Sequence, residues 1–246
     1  MFYENLRLAS KNFLGFYCCY KLYMLSVNNI KEYFIQIYRF VFFRRPKKIF
    51  YRKHVDEFIF ELIDYLKIHG VNHPGIFRIP GNKIEYENIF KTIETDKTYE
   101  FEKYGIDTNA AILKLYIRKN LNGLIQKSIV PTLNRLFLGR VNSDEIKIIE
   151  KYFPFTFCED SRKLLLAIFD MFTLISNNSH INRMTLEYLF IIFSPTIFPE
   201  MLIQDLEIIK EQIKFLNTTI FFEYNRIPDD IMIEMESFIR NIDFFC

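Results

Sequence analysis

Glycine and proline are scarce, at seven and eight in 246 residues, which excludes a collagen-like, loop-rich or low-complexity chain. The four cysteines are Cys18, Cys19, Cys158 and Cys246. An adjacent pair, one mid-chain residue and one at the last position do not make a disulfide framework, so a reducing compartment is expected. No uncharged run approaches the roughly 18–20 residues a membrane span needs. Glu4, Arg7, Lys11 and Lys21 break up the form of a signal peptide, and the expectation is a cytoplasmic protein, soluble or peripheral to a membrane. Phosphate-cradling chemistry is absent as well: Gly70, Gly75 and Gly81 have the wrong spacing, and no Gly-Lys-Ser/Thr follows them. No serine sits in a Gly-x-Ser-x-Gly elbow. His69 and His73 are four apart, but Gly70 and Pro74 interrupt a helix there and no cysteine or carboxylate flanks them. They read as ordinary helix-end and loop histidines, and neither metal nor cofactor is expected.

What is present is apolar and aromatic. Half the residues are hydrophobic and a quarter charged, with 28 Phe, 15 Tyr and no Trp. That suffices for one full-sized domain with a substantial core, plus an extension. The net charge of +2 conceals an asymmetry. Residues 1–50 carry nine basic against two acidic residues, which leaves 23 basic and 28 acidic for the rest, a net of −5. The bulk of the chain is therefore no nucleic-acid binder.

The periodicity is helical nearly throughout. Between His54 and His69 the apolar positions Val55, Phe58, Ile59, Leu62, Ile63 and Leu66 fall on one helical stripe, and Gly70 stops it. Residues 161–176 repeat the pattern. Residues 184–193 are apolar on nearly every side, as in a helix at the centre of a core, and Ser194-Pro195 is expected to end it. Further helices are expected near 84–94, 107–119, 127–138, 143–152, 200–221 and 228–242. Only 76–79 and 98–104 resemble strands, too short for a sheet. The fold is predicted to be all-α. The carboxylates Asp229, Asp230, Glu234 and Glu236 read as helix-start charges and a solvated face.

Residues 1–50 form an aromatic, basic N-terminal extension to a domain at 51–246. A helix over 30–43 runs directly into Arg44, Arg45, Pro46, Lys47 and Lys48. Residues 28–50 suit either an extra helix packed on the domain or an anionic membrane surface.

Two cationic features remain. In Pro74-Gly75-Ile76-Phe77-Arg78-Ile79-Pro80-Gly81, one arginine stands between apolar neighbours in a loop fenced by two Gly and two Pro. Ile76, Phe77 and Ile79 are available to anchor it. Such an Arg is either an ion-pair member within the domain or a group presented to a partner's anion. In the second feature, residues 110–118, Lys114 and Arg118 lie four apart on one helical face. They are either solvated, or compensated by an anion or carboxylate.

Together these segments resemble the RhoGAP domain, the all-helical module that activates Rho-family small GTPases. Gly75 to Gly81 is similar to the family's G-[IF]-[FY]-R-x-[SP]-G finger loop. Ala110 to Arg118 is similar to its A-x-L-L-K-x-x-x-R helix. Asn182-Arg183-Met184-Thr185, continuing to Phe193-Ser194-Pro195-Thr196, is similar to its N-K-M-T…F-x-P-x-L helix. The resemblance implies a single helical bundle whose Arg78 is an arginine finger, inserted in trans into a GTP-bound Rho/Rac-like partner. It implies that Lys114 contacts the partner or braces the finger loop, and that Arg118 supports that loop from within. Asn182 would lie on the partner-facing surface, and nucleotide and metal would belong to the partner. The chain departs from the family at Tyr188, where an Asn is common, and at Leu121-Asn122-Gly123-Leu124, which lacks two prolines. Those departures set a second reading beside the activator: a GTPase-binding module that accelerates little or nothing.

Overall fold

The computed structural model describes residues 17, 21, 54–96, 99–157, 159–198, 206–224 and 226–234. Among these residues it is helical, with no strand. The described residues fall into two compact units: 54–96, 99–125, 163–198 and 206–220 in one, and 17, 21, 126–157, 159–162, 221–224 and 226–234 in the other.

The first of these units carries the motif-bearing segments. Helix α1 (Glu57–Tyr65) buries Ile59, Leu62 and Ile63 and widens into a π-turn at Leu66–Gly70. Helix α2 is Lys83–Asp96 and α3 is Ile106–Lys119. The core-facing side of α3 holds Ile112, Leu113, Tyr116 and Ile117, and α1 and α2 both pack on this helix. The Tyr116 hydroxyl accepts from the Asp56 backbone N–H at 2.9 Å and donates to the Asp56 carboxylate at 2.9 Å, pinning the entrance of α1 to α3.

Further helices close this core. They are α6 (Glu159–Asn177), of which residues 163–177 belong here, α7 (Ser179–Asn182), α8 (Leu186–Ile197) and α9 (Leu206–Thr219). Phe172 of α6 and Phe193 of α8 meet edge-to-face at 4.7 Å, with Phe190 at 5.8 Å from Phe172. Rings packed this way add about 0.5–1.5 kcal/mol per pair beyond their burial. Helix α8 does not end at Ser194-Pro195 as expected but runs on to Ile197 with Pro195 inside it. The carbonyl that Pro195 leaves without a helical donor is that of Ile191, an exposed residue. After Pro195 the ladder resumes, with the Phe198 N–H bonded to Ser194 O at 3.0 Å.

The second unit contains α4 (Val130–Phe137), with Pro131 in its first turn, and α5 (Ser143–Tyr152). Asn142 and Glu145 form a reciprocal capping box at the start of α5, and Arg135 bonds Glu145 at 2.9 Å. Residues 229–234 are helical. Asp230 and Glu234 are not merely solvated, as the sequence suggested: both grip Lys151, at 2.7 and 2.8 Å. Of the N-terminal extension only Tyr17 and Lys21 are described. Tyr17 is buried edge-on against Tyr152 at 6.2 Å. Residues 28–50, assigned above to a docked helix or a membrane surface, lie outside the described residues. Among the described residues no helix is long and apolar enough to cross a membrane.

Candidate functional site

Neither segment expected as a strand is one. Of 98–104, the described part holds a 3-10 turn at Phe101–Lys103. Residues 74–79 curl into successive turns, with the N–H groups of Arg78 and Ile79 both bonded to Gly75 O, at 2.9 and 3.0 Å. Two glycines make this tight path available. Gly75 adopts φ +70°, and a Cβ on Gly81 would stand 2.7 Å from the Asp107 carbonyl oxygen and the Thr108 Cα at the start of α3.

Phe77 adopts a left-handed φ of 66°. For a bulky L-residue that costs about 1–2 kcal/mol. The ring is 1% exposed and packs edge-to-face on Phe193 at 4.9 Å and near Phe172 at 6.3 Å. Burying a phenyl ring is worth about 1.5–3 kcal/mol, which offsets the strain. Ile76 is fully buried beside it, whereas Ile79 is 42% exposed and is not the third anchor expected from the sequence. Directly after the buried Phe77 comes Arg78, exposed, with no carboxylate partner among the described residues.

Lys114 reaches this loop from α3. Its Nζ donates to the Phe77 carbonyl at 2.7 Å, which holds the peptide leading into Arg78. Burial, with the Arg118 charge adding to it and Asp107 opposing, pulls the Lys114 amine down to about 8. Arg118 does not support the loop from within. Its residue is exposed and its Nε donates to Thr196 Oγ1 at 3.2 Å, tying α3 to α8.

Asn182 also differs from expectation. It is 0% exposed, and so lies inside the unit rather than on a partner-facing surface. Its side-chain amide donates to Val71 O and Ile175 O, each at 2.7 Å, and its Oδ1 accepts from the Met184 N–H at 2.7 Å. Its backbone carbonyl accepts from the Gly75 N–H at 2.8 Å. One residue thus joins the start of the arginine loop, the end of α6 and the approach to α8. Tyr188 is 52% exposed in the first turn of α8, its N–H capped by Thr185 Oγ1 at 3.3 Å.

A further brace escaped the sequence reading. His73 Nε2 lies 3.1 Å from both carboxylate oxygens of Asp107, fastening the loop's entrance to the first turn of α3. The sequence offered only the identity of His73 and an acidic residue 34 positions on, with nothing to pair them.

The pattern of the RhoGAP domain matches residues 57–201, 145 of the 246 residues. The chain belongs to the RhoGAP domain family. Among curated relatives, Rho GTPase-activating protein 190 of Drosophila melanogaster is 26% identical over 161 residues, which is 58% of this chain and 10% of that protein. Rho GTPase-activating protein gacHH of Dictyostelium discoideum is 30% identical over 140 residues, 56% of this chain and 8% of that one. The chain thus spans about a tenth of the length of such relatives. The crystal structure of the BH domain from Graf, the GTPase regulator associated with focal adhesion kinase, superposes with a TM-score of 0.56 at 20% identity. It covers 69% of this chain and 94% of that one. Human Rho GTPase activating protein 15 gives 0.55 at 17% identity, over 67% of this chain and 83% of the other. The all-α RhoGAP fold is therefore established for this chain.

Proposed function

We propose that this RhoGAP domain stimulates GTP hydrolysis by a Rho/Rac-like small GTPase, with Arg78 entering the partner's nucleotide site as an arginine finger. The observation that carries the reading is the exposed Arg78, without a carboxylate partner among the described residues, following a buried, left-handed Phe77 whose carbonyl is held by Lys114. A presented guanidinium is useful only if the loop does not give way when it meets its anion. Here the loop is held from α3 by Lys114 and by Asp107, which pairs with His73, and from the approach to α8 by Asn182. The guanidinium would neutralise charge developing on the β- and γ-phosphate oxygens as the bond to the leaving group lengthens. Fingers of this kind are worth about 10³–10⁵ in rate, or roughly 4–7 kcal/mol of barrier. The GTP, its metal and the attacking water belong to the partner, and the chain supplies charge and position, acting as an activator in signal transduction at a cytoplasmic site.

Single-turnover GTP hydrolysis by a panel of Rho- and Ras-family GTPases tests this, with wild-type protein and Arg78→Ala. Acceleration on a Rho-type member that collapses in the variant is the expected result. A panel that binds the folded wild type without acceleration would replace the activator by the binding-module reading, for which the exposed Tyr188 is the specific motive.

A further inference from the structure

Arg78 is one of two arginines presented on adjoining loops. Arg183 follows Asn182, whose carbonyl accepts the Gly75 N–H at 2.8 Å, so one backbone hydrogen bond joins the two segments that carry them. Arg183 has φ 60° and ψ 28°, a left-handed conformation at the end of α7, where its N–H bonds Ser179 O at 2.9 Å. Glycine takes this position at helix ends without strain and Asn with little, whereas Arg pays about 1–2 kcal/mol for it. The strain is imposed from both sides, because the preceding Asn182 is buried and bonded on every polar atom of its side chain. The Arg183 side chain nonetheless receives nothing in return: it is exposed, and no carboxylate pairs with it among the described residues. Ile181 at 47% and Tyr188 at 52% exposure, two and five residues from it in sequence, add exposed apolar and aromatic groups to the same stretch of chain. Arginine and tyrosine amid exposed apolar groups is the composition of a protein-binding surface rather than of a phosphate cradle.

We infer that Arg183 is a docking residue for the partner GTPase, pairing with a surface carboxylate of that protein while Arg78 addresses the nucleotide. The inference rests on the activator reading and adds a second contact to it. Arg183 is not a catalytic residue. It fixes where the domain lands, and through Asn182 and Gly75 its position is coupled to that of the finger loop.

The test is a titration of single-turnover GTP hydrolysis against domain concentration, at low and moderate salt, with Arg183→Gly and Arg183→Lys beside the wild type. Glycine removes the charge and relieves the backbone strain, so thermal stability is expected to hold or rise. The half-saturating concentration is expected to rise about tenfold at low salt and its salt dependence to flatten, with the maximal rate kept within about twofold. Lysine, which keeps the charge, is expected to recover much of the loss. An unchanged half-saturating concentration in Arg183→Gly overturns the inference and leaves the activator reading standing. A fall in maximal rate at unchanged half-saturation assigns Arg183 to the nucleotide and overturns it too. A wild type that binds the GTP-loaded GTPase without accelerating it removes the activator reading alone. Arg183 is then judged by the binding constants of the same variants, where no weakening in Arg183→Gly overturns it.

Discussion

Two charged assemblies in this protein have opposite construction. Lys151 lies between Asp230 at 2.7 Å and Glu234 at 2.8 Å, and Glu234 also accepts from the Tyr152 and Tyr17 hydroxyls and pairs with Lys21 at 3.3 Å. Every charge there is answered within the chain. The Arg78 loop answers its backbone instead: Lys114, His73 and Asn182 hold main chain and entrance, and Arg78 has no carboxylate partner among the described residues. A charge matched at home contributes modestly to stability and has little to offer a second molecule. An unmatched one on a braced loop has its electrostatic free energy available at binding or in the transition state. The distinction between matched and presented charge, more than the number of basic residues, is what sets the two assemblies apart.

The sharpest way to break the comparison is Arg78→Ala. Stimulated hydrolysis is expected to fall by about 10³–10⁵. The melting temperature should stay within about a degree, because the side chain is exposed and pairs with no carboxylate among the described residues. Next in size is Asn182→Ala. It leaves the Val71 and Ile175 carbonyls and the Met184 N–H without the bonds Asn182 now supplies. Each buried group left unpaired costs about 1–3 kcal/mol, so chemical denaturation should show a loss of several kcal/mol in all. The stimulated rate should fall more than tenfold under conditions where the variant is still folded. A stable but inactive Asn182→Ala would mean that the residue touches the partner after all.

Much of the helical frame is legible in the sequence, because amphipathic stripes such as Ile59, Leu62 and Ile63 report directly on which face is buried. Residues 76–79 look strand-like because β-branched and aromatic residues flank Arg78, and no local signal shows that Phe77 turns left-handed. That conformation is enforced by Phe172 and Phe193, about a hundred residues away in sequence. Pro195 misleads because the residue before a proline is biased away from the helical region without being barred from it, and here Ser194 stays within α8. Of the site, Arg78 and the Lys114 brace follow from motif resemblance. The burial of Asn182, the turn of Arg118 toward Thr196 and the His73–Asp107 pair depend on tertiary geometry that spacing does not encode.

A smaller effect tests the brace itself. Lys114→Met removes the donor to the Phe77 carbonyl while keeping length and apolar stem. A charge-assisted hydrogen bond of this kind is worth about 1.5 kcal/mol or more, so the stimulated rate should drop about tenfold. The wild type carries its own internal check in pH. With the folded amine lowered to about 8 against 10.5 when unfolded, the bond loses its charge assistance as pH rises past 8. The ratio of stimulated to intrinsic hydrolysis should therefore decline between pH 7 and 9, and the decline should vanish in Lys114→Met. Stability moves the other way. Between about 8 and 10.5 the unfolded chain binds more protons at this site, so the Lys114 contribution to stability rises with pH over that window. A rate and a stability that both fell would point to general unfolding rather than to the brace.

The smallest effect belongs to the matched assembly. Partial burial pushes the Glu234 carboxyl up, but hydrogen bonds from Lys151 and Tyr152 and the charges of Lys21 and Lys151 outweigh it and hold the group at about 2, against 4.5 unfolded. A carboxylate depressed in this way contributes its stability above pH 4.5 and loses it as pH falls toward 2. Glu234→Gln should therefore lower the melting temperature at pH 7, by an amount equivalent to about 1 kcal/mol or less, since the cluster is open to water and screened. The gap to the wild type should narrow as pH is taken from 5 to 3, and stimulated GTP hydrolysis at pH 7 should not change. A Glu234→Gln variant that altered the half-saturating concentration for the GTPase would break the comparison at its root, because a fully answered ion cluster would then be taking part in recognition of the partner.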